Sequence, residues 1–165
     1  MKLLAIDPGK ATGWAFFNNQ SKLDACGVIE IDADFTNTNL TNIFEGFNSA
    51  YEPDLLVIEI PQIYSVRQWK GDPNDLIDLA VQAGQIIGTF SSTANIKKIR
   101  PHNWKGNLPK EICNTRSLSK LSSIESMVVQ NAQIISKKGS RKMIKTLAHN
   151  MLDAIGIGLW QLKRR

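Results

Sequence analysis

Three acidic residues stand where a hydrolytic metal site would need them. Asp7 ends the apolar run Leu3-Leu4-Ala5-Ile6, Glu59 follows Leu55-Leu56-Val57-Ile58, and Asp153 interrupts the apolar segment Met151-Leu152-Asp153-Ala154-Ile155. A carboxylate in apolar surroundings is costly to ionise unless a cation pairs with it. Carboxylates that converge therefore call for a hard divalent ion with oxygen ligands, Mg²⁺ or Mn²⁺. Such an ion would activate a bound water and stabilise developing negative charge. Taken singly, each acid has a blander reading: Asp7 as a turn residue before Pro8-Gly9, Glu59 as an ion-pair partner, Asp153 as a helix-surface charge. Their joint placement favours metal chemistry. Neither His102 nor His149 has a nucleophilic partner evident in the sequence, which disfavours a covalent route.

The elements that must position these acids follow from the patterning. Residues 3–7 and 14–17 read as strands joined by the turn Asp7-Pro8-Gly9-Lys10-Ala11-Thr12-Gly13, and residues 26–31 supply a third strand. Leu40, Ile43, Phe44 and Phe47 recur at helical spacing over residues 39–51. The break at Glu52-Pro53-Asp54 then leads into residues 55–60, whose unbroken apolar character predicts a strand buried on both faces, as in a parallel sheet. A loop over 61–73, a helix over 74–90, a strand over 96–100 and a basic loop over 101–109 come next. Residues 110–135 read as helical, 136–140 as a basic break, and 141–162 as a last helix. The expected architecture is one α/β domain over residues 1–165, with a mixed sheet flanked by helices. If the strands ending at Asp7 and Glu59 are parallel neighbours, both carboxylates emerge at their carboxyl ends, the edge where such sheets place ligands.

In the last segment, Ile144, Leu147, Ala148, Met151, Leu152, Ile155 and Leu159 form an apolar stripe, beside which Thr146, His149, Asn150 and Asp153 share a narrow polar one. Asn150 can offer a neutral oxygen ligand. His149 can contact metal, phosphate or the attacking water, or simply face solvent, so both stay candidates beside the three acids.

Charge is segregated along the chain. Residues 1–96 carry 5 Lys and Arg against 12 Asp and Glu, whereas residues 97–165 carry 15 against 3. A basic half on a compact domain suits a polyanionic partner such as DNA, although a merely solvated basic face has the same composition. The contacts expected are Tyr64, Arg67, Trp69 and Lys70 in the loop after Glu59; Trp104, Lys105 and Lys110 after the fifth strand; and Lys137, Lys138, Arg141 and Lys142 before the last helix. Tyr64 and Trp69 either stack on exposed bases or cover the core. Cations at the start of a helix oppose its dipole, which suggests that Arg141 and Lys142 serve an external anion, with Ser140 as N-cap. No apolar run approaches the roughly 18 residues of a membrane span. Cys26 and Cys113 lack metal-ligand spacing and read as reduced thiols of a cytoplasmic protein.

Leu4-Ala5-Ile6-Asp7-Pro8-Gly9 followed by Thr12-Gly13-Trp14-Ala15, then Val57-Ile58-Glu59, then His149-Asn150-Met151-Leu152-Asp153-Ala154 resemble, in order, the opening strand, second acidic strand and final helix of RuvC-type Holliday junction resolvases. Small phage-encoded RuvC-like nucleases look most similar. The resemblance implies an RNase H-like fold with a five-stranded mixed sheet, a Mg²⁺ or Mn²⁺ cofactor of two ions, and hydrolysis of branched DNA by a homodimer. Family members commonly carry Asp or His three residues before the final Asp; here that position is Asn150, with His149 one residue earlier. General nucleases and RNA-processing nucleases of the same superfamily are the competing class, and a noncatalytic nucleic-acid-binding protein is a third. The Asp7 to Gly13 turn also resembles the phosphate loop of actin-like kinases, but those proteins need a second lobe, for which this chain has no room.

Overall fold

In the computed structural model, which describes residues 1–31, 38–63, 72–136, 139–144 and 148–164, the run ending at Asp7 forms β1 (Leu3–Asp7). It pairs antiparallel with β2 (Ala11–Phe17), with Asp7 opposite Gly13, and β2 pairs antiparallel with β3 (Leu23–Glu30). Helix α1 (Thr38–Tyr51) carries the chain back, so β4 (Leu55–Glu59) lies parallel to β1 with Ile6 opposite Ile58. Helix α2 (Pro73–Phe90) makes the next crossover, and β5 (Asn95–Ile99) adds parallel to β4. Asp72 caps α2 by accepting from the Asn74 amide, with Pro73 at the first helical position where its missing N–H costs nothing.

Beyond β5 the chain departs from its patterning. The expected basic loop contains a short helix, α3 (Pro101–Lys105), begun by Pro101 and by the Asn103 side chain accepting from the Arg100 amide. The single helix expected over 110–135 is two, α4 (Lys110–Ser119) and α5 (Ser123–Gln130), followed by β6 (Gln133–Ile135). The division occurs at Ser122, whose hydroxyl accepts from the Glu125 amide while Glu125 reaches back to the Ser122 amide, a reciprocal cap legible in Ser122-Ser123-Ile124-Glu125. Residues 141–143 are a strand, β7 (Arg141–Met143), antiparallel to β6; the last helix, α6 (His149–Gln161), begins later with Ala148 as its cap. Ser140 is therefore no N-cap; its hydroxyl bonds Ser136 within the β6–β7 turn. Arg141 and Lys142 are strand residues, and the helix-dipole argument for them falls away.

Among the described residues the sheet has seven strands in the order β5-β4-β1-β2-β3-β6-β7, the added pair β6 and β7 extending the five expected. Strand alternation divides the core. Leu3, Ala5, Val57, Ala15 and Phe17 face α6, and Leu4, Ile6, Leu56, Ile58, Trp14 and Phe16 face α1 and α2. Among the described residues no helix is long and apolar enough to cross a membrane.

One polar network ties the far end of α6 into this core. Glu125, 2% exposed, accepts from the Leu23 amide at 2.8 Å and from Ser122, and it forms a two-pronged ion pair with Arg164 at 2.5 and 2.9 Å. Burial pushes its carboxyl up, but Arg164 and the hydrogen bonds from Ser122 and Leu23 outweigh this and bring it to about 2. A carboxyl lowered in this way stabilises the fold fully above the ordinary value of about 4.3, and that contribution disappears as pH falls toward about 2. Arg164→Ala leaves the buried carboxylate short of its cation, at a cost of about 3 kcal/mol. At neutral pH this should lower the melting temperature by roughly 6–12 °C. Thermal melts of the two proteins should converge as pH approaches 2; a constant gap across pH would remove the ion pair as its cause.

Candidate active site

Strand parity aims the first two acids. Asp7 continues the Leu3 and Ala5 side of β1, and Glu59 continues the Leu55 and Val57 side of β4, so both carboxylates lie on the α6 face at the carboxyl ends of adjacent parallel strands. Two polar residues lock the turn behind Asp7. Thr12, fully buried, donates to the Gly9 carbonyl at 2.9 Å, and Gln82 of α2 donates to the same carbonyl at 3.0 Å and to the Thr12 hydroxyl at 2.8 Å. Gln82 was legible as the polar residue inside the otherwise apolar stripe of α2.

Glycines bring α6 down onto the same edge. A Cβ built on Gly13 would lie 1.9 Å from the Asn150 carbonyl oxygen, and one on Gly158 would lie 2.0 Å from the Phe17 ring. The helix thus contacts β2 at both ends: eight helical residues rise about 12 Å and four strand residues about 13 Å, so the two run in register. Because Gly13 pairs with Asp7, the first turn of α6 rests beside that carboxylate, and Asp153, one turn further on, enters the site at 3% exposure.

The resulting electrostatics are strained by like charge. Burial, then Glu59 and Asp153, push the Asp7 carboxyl well above the carboxylate range, opposed by Lys105 and Lys110. Burial also raises Glu59, while Lys105, a hydrogen bond from the Trp104 indole N–H at 2.5 Å, and Lys110 pull it down and Asp153 pushes it up. The ammonium groups of Lys110 and Lys105 lie 3.4 and 3.8 Å from Asp153 Oδ2, whereas Oδ1 is buried without a hydrogen-bond partner. Among the described residues no group of three His, Cys, Asp or Glu side chains is drawn together tightly enough to grip a metal ion as it stands. The donor set nonetheless suits a hard cation. It consists of carboxylate oxygens, one of them buried and unpaired, around an acid whose ionised form is disfavoured by burial and two like charges more than Lys105 and Lys110 offset.

The other candidates distribute unevenly. Trp104, Lys105 and Lys110 join the acids. The Asn150 amide donates to the Ala11 carbonyl, which leaves its oxygen as the only atom for a ligand role. His149, the first residue of α6, lies with Nδ1 3.1 Å from the Asn114 amide nitrogen, which donates to it. Arg141 and Lys142 sit on the outermost strand, four strand positions or about 19 Å from β1. Tyr64, Arg67, Trp69, Lys70, Lys137 and Lys138 lie outside the described residues.

Trp104 has a role that the sequence did not single out, since nothing local announces a hydrogen bond to Glu59 across 45 residues. Losing a hydrogen bond to a charged group costs about 1.5–3 kcal/mol. If the acids act in hydrolysis, Trp104→Phe, which keeps a ring in place, should therefore lower its rate by roughly tenfold or more with little change in substrate affinity. An unchanged turnover rate would show that the indole is only packing.

No family model matches the chain, and no curated protein sequence is significantly similar to it. Solved structures do resemble it over nearly its whole length. Fowlpox virus Holliday junction resolvase aligns with a TM-score of 0.59 and 17% identity over 99% of each chain. Thermus thermophilus RuvC, solved with a Holliday junction substrate, aligns at 0.58 and 12% over 98% of this chain and 93% of that one. The yeast mitochondrial Holliday junction resolvase aligns at 0.58 and 18% over 98% and 79%. At these identities the likeness is one of architecture, and the chain has the RNase H-like fold of the RuvC-type resolvases.

Proposed function

We propose that this chain is a divalent-metal-dependent endonuclease acting on branched DNA, with four-way junctions as its preferred substrate and a homodimer as its working form. The observation that carries the reading is the meeting of Asp7, Glu59 and Asp153 on one sheet edge, with Asp153 Oδ1 buried and unpaired. Asp7, Glu59 and Asp153 would hold Mg²⁺ or Mn²⁺, and Asn150 is a further oxygen donor beside them. When bound, the metal supplies an activated water and charge stabilisation at the scissile phosphate. Trp104 orients Glu59 and, with burial, restricts water around it. Lys105 and Lys110 neutralise Asp153 in the free protein and are within reach of an incoming phosphodiester, so substrate binding exchanges one anionic partner for another. The likeness to resolvases solved with junction DNA supports the substrate class.

Cleavage of a four-way junction, a flap, a matched duplex and an RNA hairpin, each with Mg²⁺, Mn²⁺ or chelator, tests the reading. Metal-dependent cleavage favouring the junction is expected. Equal cleavage of all four would assign a general nuclease, and junction binding without cleavage under any metal would assign a binding protein.

A further inference from the structure

A cavity of about 430 Å³ opens beside the acidic site, bounded by α3, α4 and the second half of α6, and it shares Trp104 with that site. Two indoles, Trp104 and Trp160, line it. Gly156 lets Trp104 lie close against α6, since a Cβ there would stand 2.7 Å from the ring. Lys97 secures Trp160, with its ammonium 4.9 Å from the ring centre and hydrogen-bonded to Gln161 at 2.7 Å. The lining includes no acidic side chain. Of its five cations, Arg116, Lys120 and Lys163 are exposed and form no ion pair among the described residues, whereas Lys105 pairs with Asp153 and Arg164 with Glu125. Lys163 adopts a left-handed backbone (φ 53°) just past the end of α6, a position that favours glycine. A lysine there carries backbone strain that glycine would relieve, and it keeps a third unpaired cation at the cavity.

Indole rings flanked by unpaired cations, each ring with a lysine over one side (Lys105 on Trp104, Lys97 on Trp160), are chemistry that can receive an unstacked base together with its phosphates. We propose that this cavity binds one unpaired nucleotide of the DNA substrate, its base against Trp104 and Trp160 and its flanking phosphates on Arg116, Lys120 and Lys163. The assignment deepens the nuclease reading and rests on it, because the base pairs at a branch point, stacked on one side only, open more readily than those inside a duplex. It also gives base capture a route to the chemistry: the indole that a captured base touches is the one whose N–H holds Glu59.

The test uses the full chain with Ca²⁺ replacing Mg²⁺, and follows tryptophan fluorescence during titration with an oligothymidylate, a matched duplex, thymidine monophosphate and oligothymidylates carrying one abasic position. The oligothymidylate should quench the tryptophans and bind far more tightly than the mononucleotide. Removing the base at one register should weaken it by roughly tenfold to a hundredfold. The exposed double substitution Arg116→Glu with Lys120→Glu, its fold checked by thermal melting, should abolish that sensitivity to base removal and weaken single-strand binding far more than duplex binding. Equal weakening on strand and duplex, indifference to every abasic position, or mononucleotide binding as tight as the strand would each overturn the proposal. The two readings fail separately. Base-dependent strand binding by a protein that cleaves no branched DNA keeps the cavity and removes the nuclease, whereas junction binding and cleavage untouched by the double substitution removes the cavity and keeps the nuclease.

Discussion

Asp7→Asn is expected to lower metal-dependent cleavage by on the order of a thousandfold while raising the melting temperature of the metal-free protein. On the proposed reading, the loss follows from removing a charged oxygen ligand of the metal, worth several kcal/mol in the transition state. The gain follows from the charge map. Burial, Glu59 and Asp153 hold the Asp7 carboxyl well above its ordinary value, so its ionised form is disfavoured in the folded state. A carboxyl raised in this way costs nothing below about pH 3.9 and becomes destabilising as pH rises through that value toward its folded one. Metal-free parent and Asp7→Asn should therefore melt together near pH 4 and separate toward pH 7, with the variant higher, and added Mg²⁺ or Mn²⁺ should raise the parent but not the variant. Glu59→Gln and Asp153→Asn should share the loss of cleavage. Asp153→Asn should show no such stability gain, since it strips Lys105 and Lys110 of their counter-charge. Identical melting curves across pH, or full cleavage by any one of the three variants, would sink the assignment of a shared acidic site.

The second large effect is expected at a residue with no reactive group. Gly13→Ala places a methyl 1.9 Å from the Asn150 carbonyl oxygen and 2.6 Å from the Met151 amide nitrogen, both backbone atoms that no rotamer change can move. Either α6 lifts from β2 or β2 yields, and overpacking of this kind costs about 1–3 kcal/mol or more. The outcome should be a protein destabilised by about 3 kcal/mol whose remaining folded fraction cleaves poorly, because the displaced turn carries Asn150 and leads directly to Asp153. Gly46→Ala, with open space at its Cβ, is the matching control and should be neutral or slightly stabilising. Chemical denaturation of both variants, with cleavage measured on the folded fraction, separates the two effects. A Gly13→Ala protein as stable and active as the parent would mean that α6 does not rest on β2 as described.

How far the site could be read from the chain depends on the range of the interactions involved. The acids at strand ends, the turn after Asp7, the parallel relation of β1 and β4, and the helix over 74–90 were all legible, because each arises from local apolar patterning and from the need for a crossover between parallel strands. After residue 100 the helical character of 110–130 and 149–161 was legible, whereas α3, the division at Ser122 and the strands β6 and β7 were not. Gln133-Ile134-Ile135 and Arg141-Lys142-Met143 are too short to declare a strand; the first becomes one because β3 offers an edge to pair with, and the second because the first then offers another. The same competition shortens the last helix, since residues 141–143 serve the sheet first.

What the sequence determined by itself is the set of groups: two carboxylates at the ends of apolar runs and a third inside an apolar helix, and a basic half able to meet a polyanion. What only tertiary structure decided is which of those groups meet. Parity along β1 and β4 turns Asp7 and Glu59 toward α6, and Gly13 and Gly158 let that helix settle close enough to deliver Asp153. Lys105 and Lys110 reach the acids while Arg141 and Lys142 end on the far strand. Trp104 is tied to Glu59 by a hydrogen bond that spans two elements. These outcomes depend on close approach between segments distant in sequence, where a single methyl or one strand register changes the result, and neither quantity is carried by local periodicity.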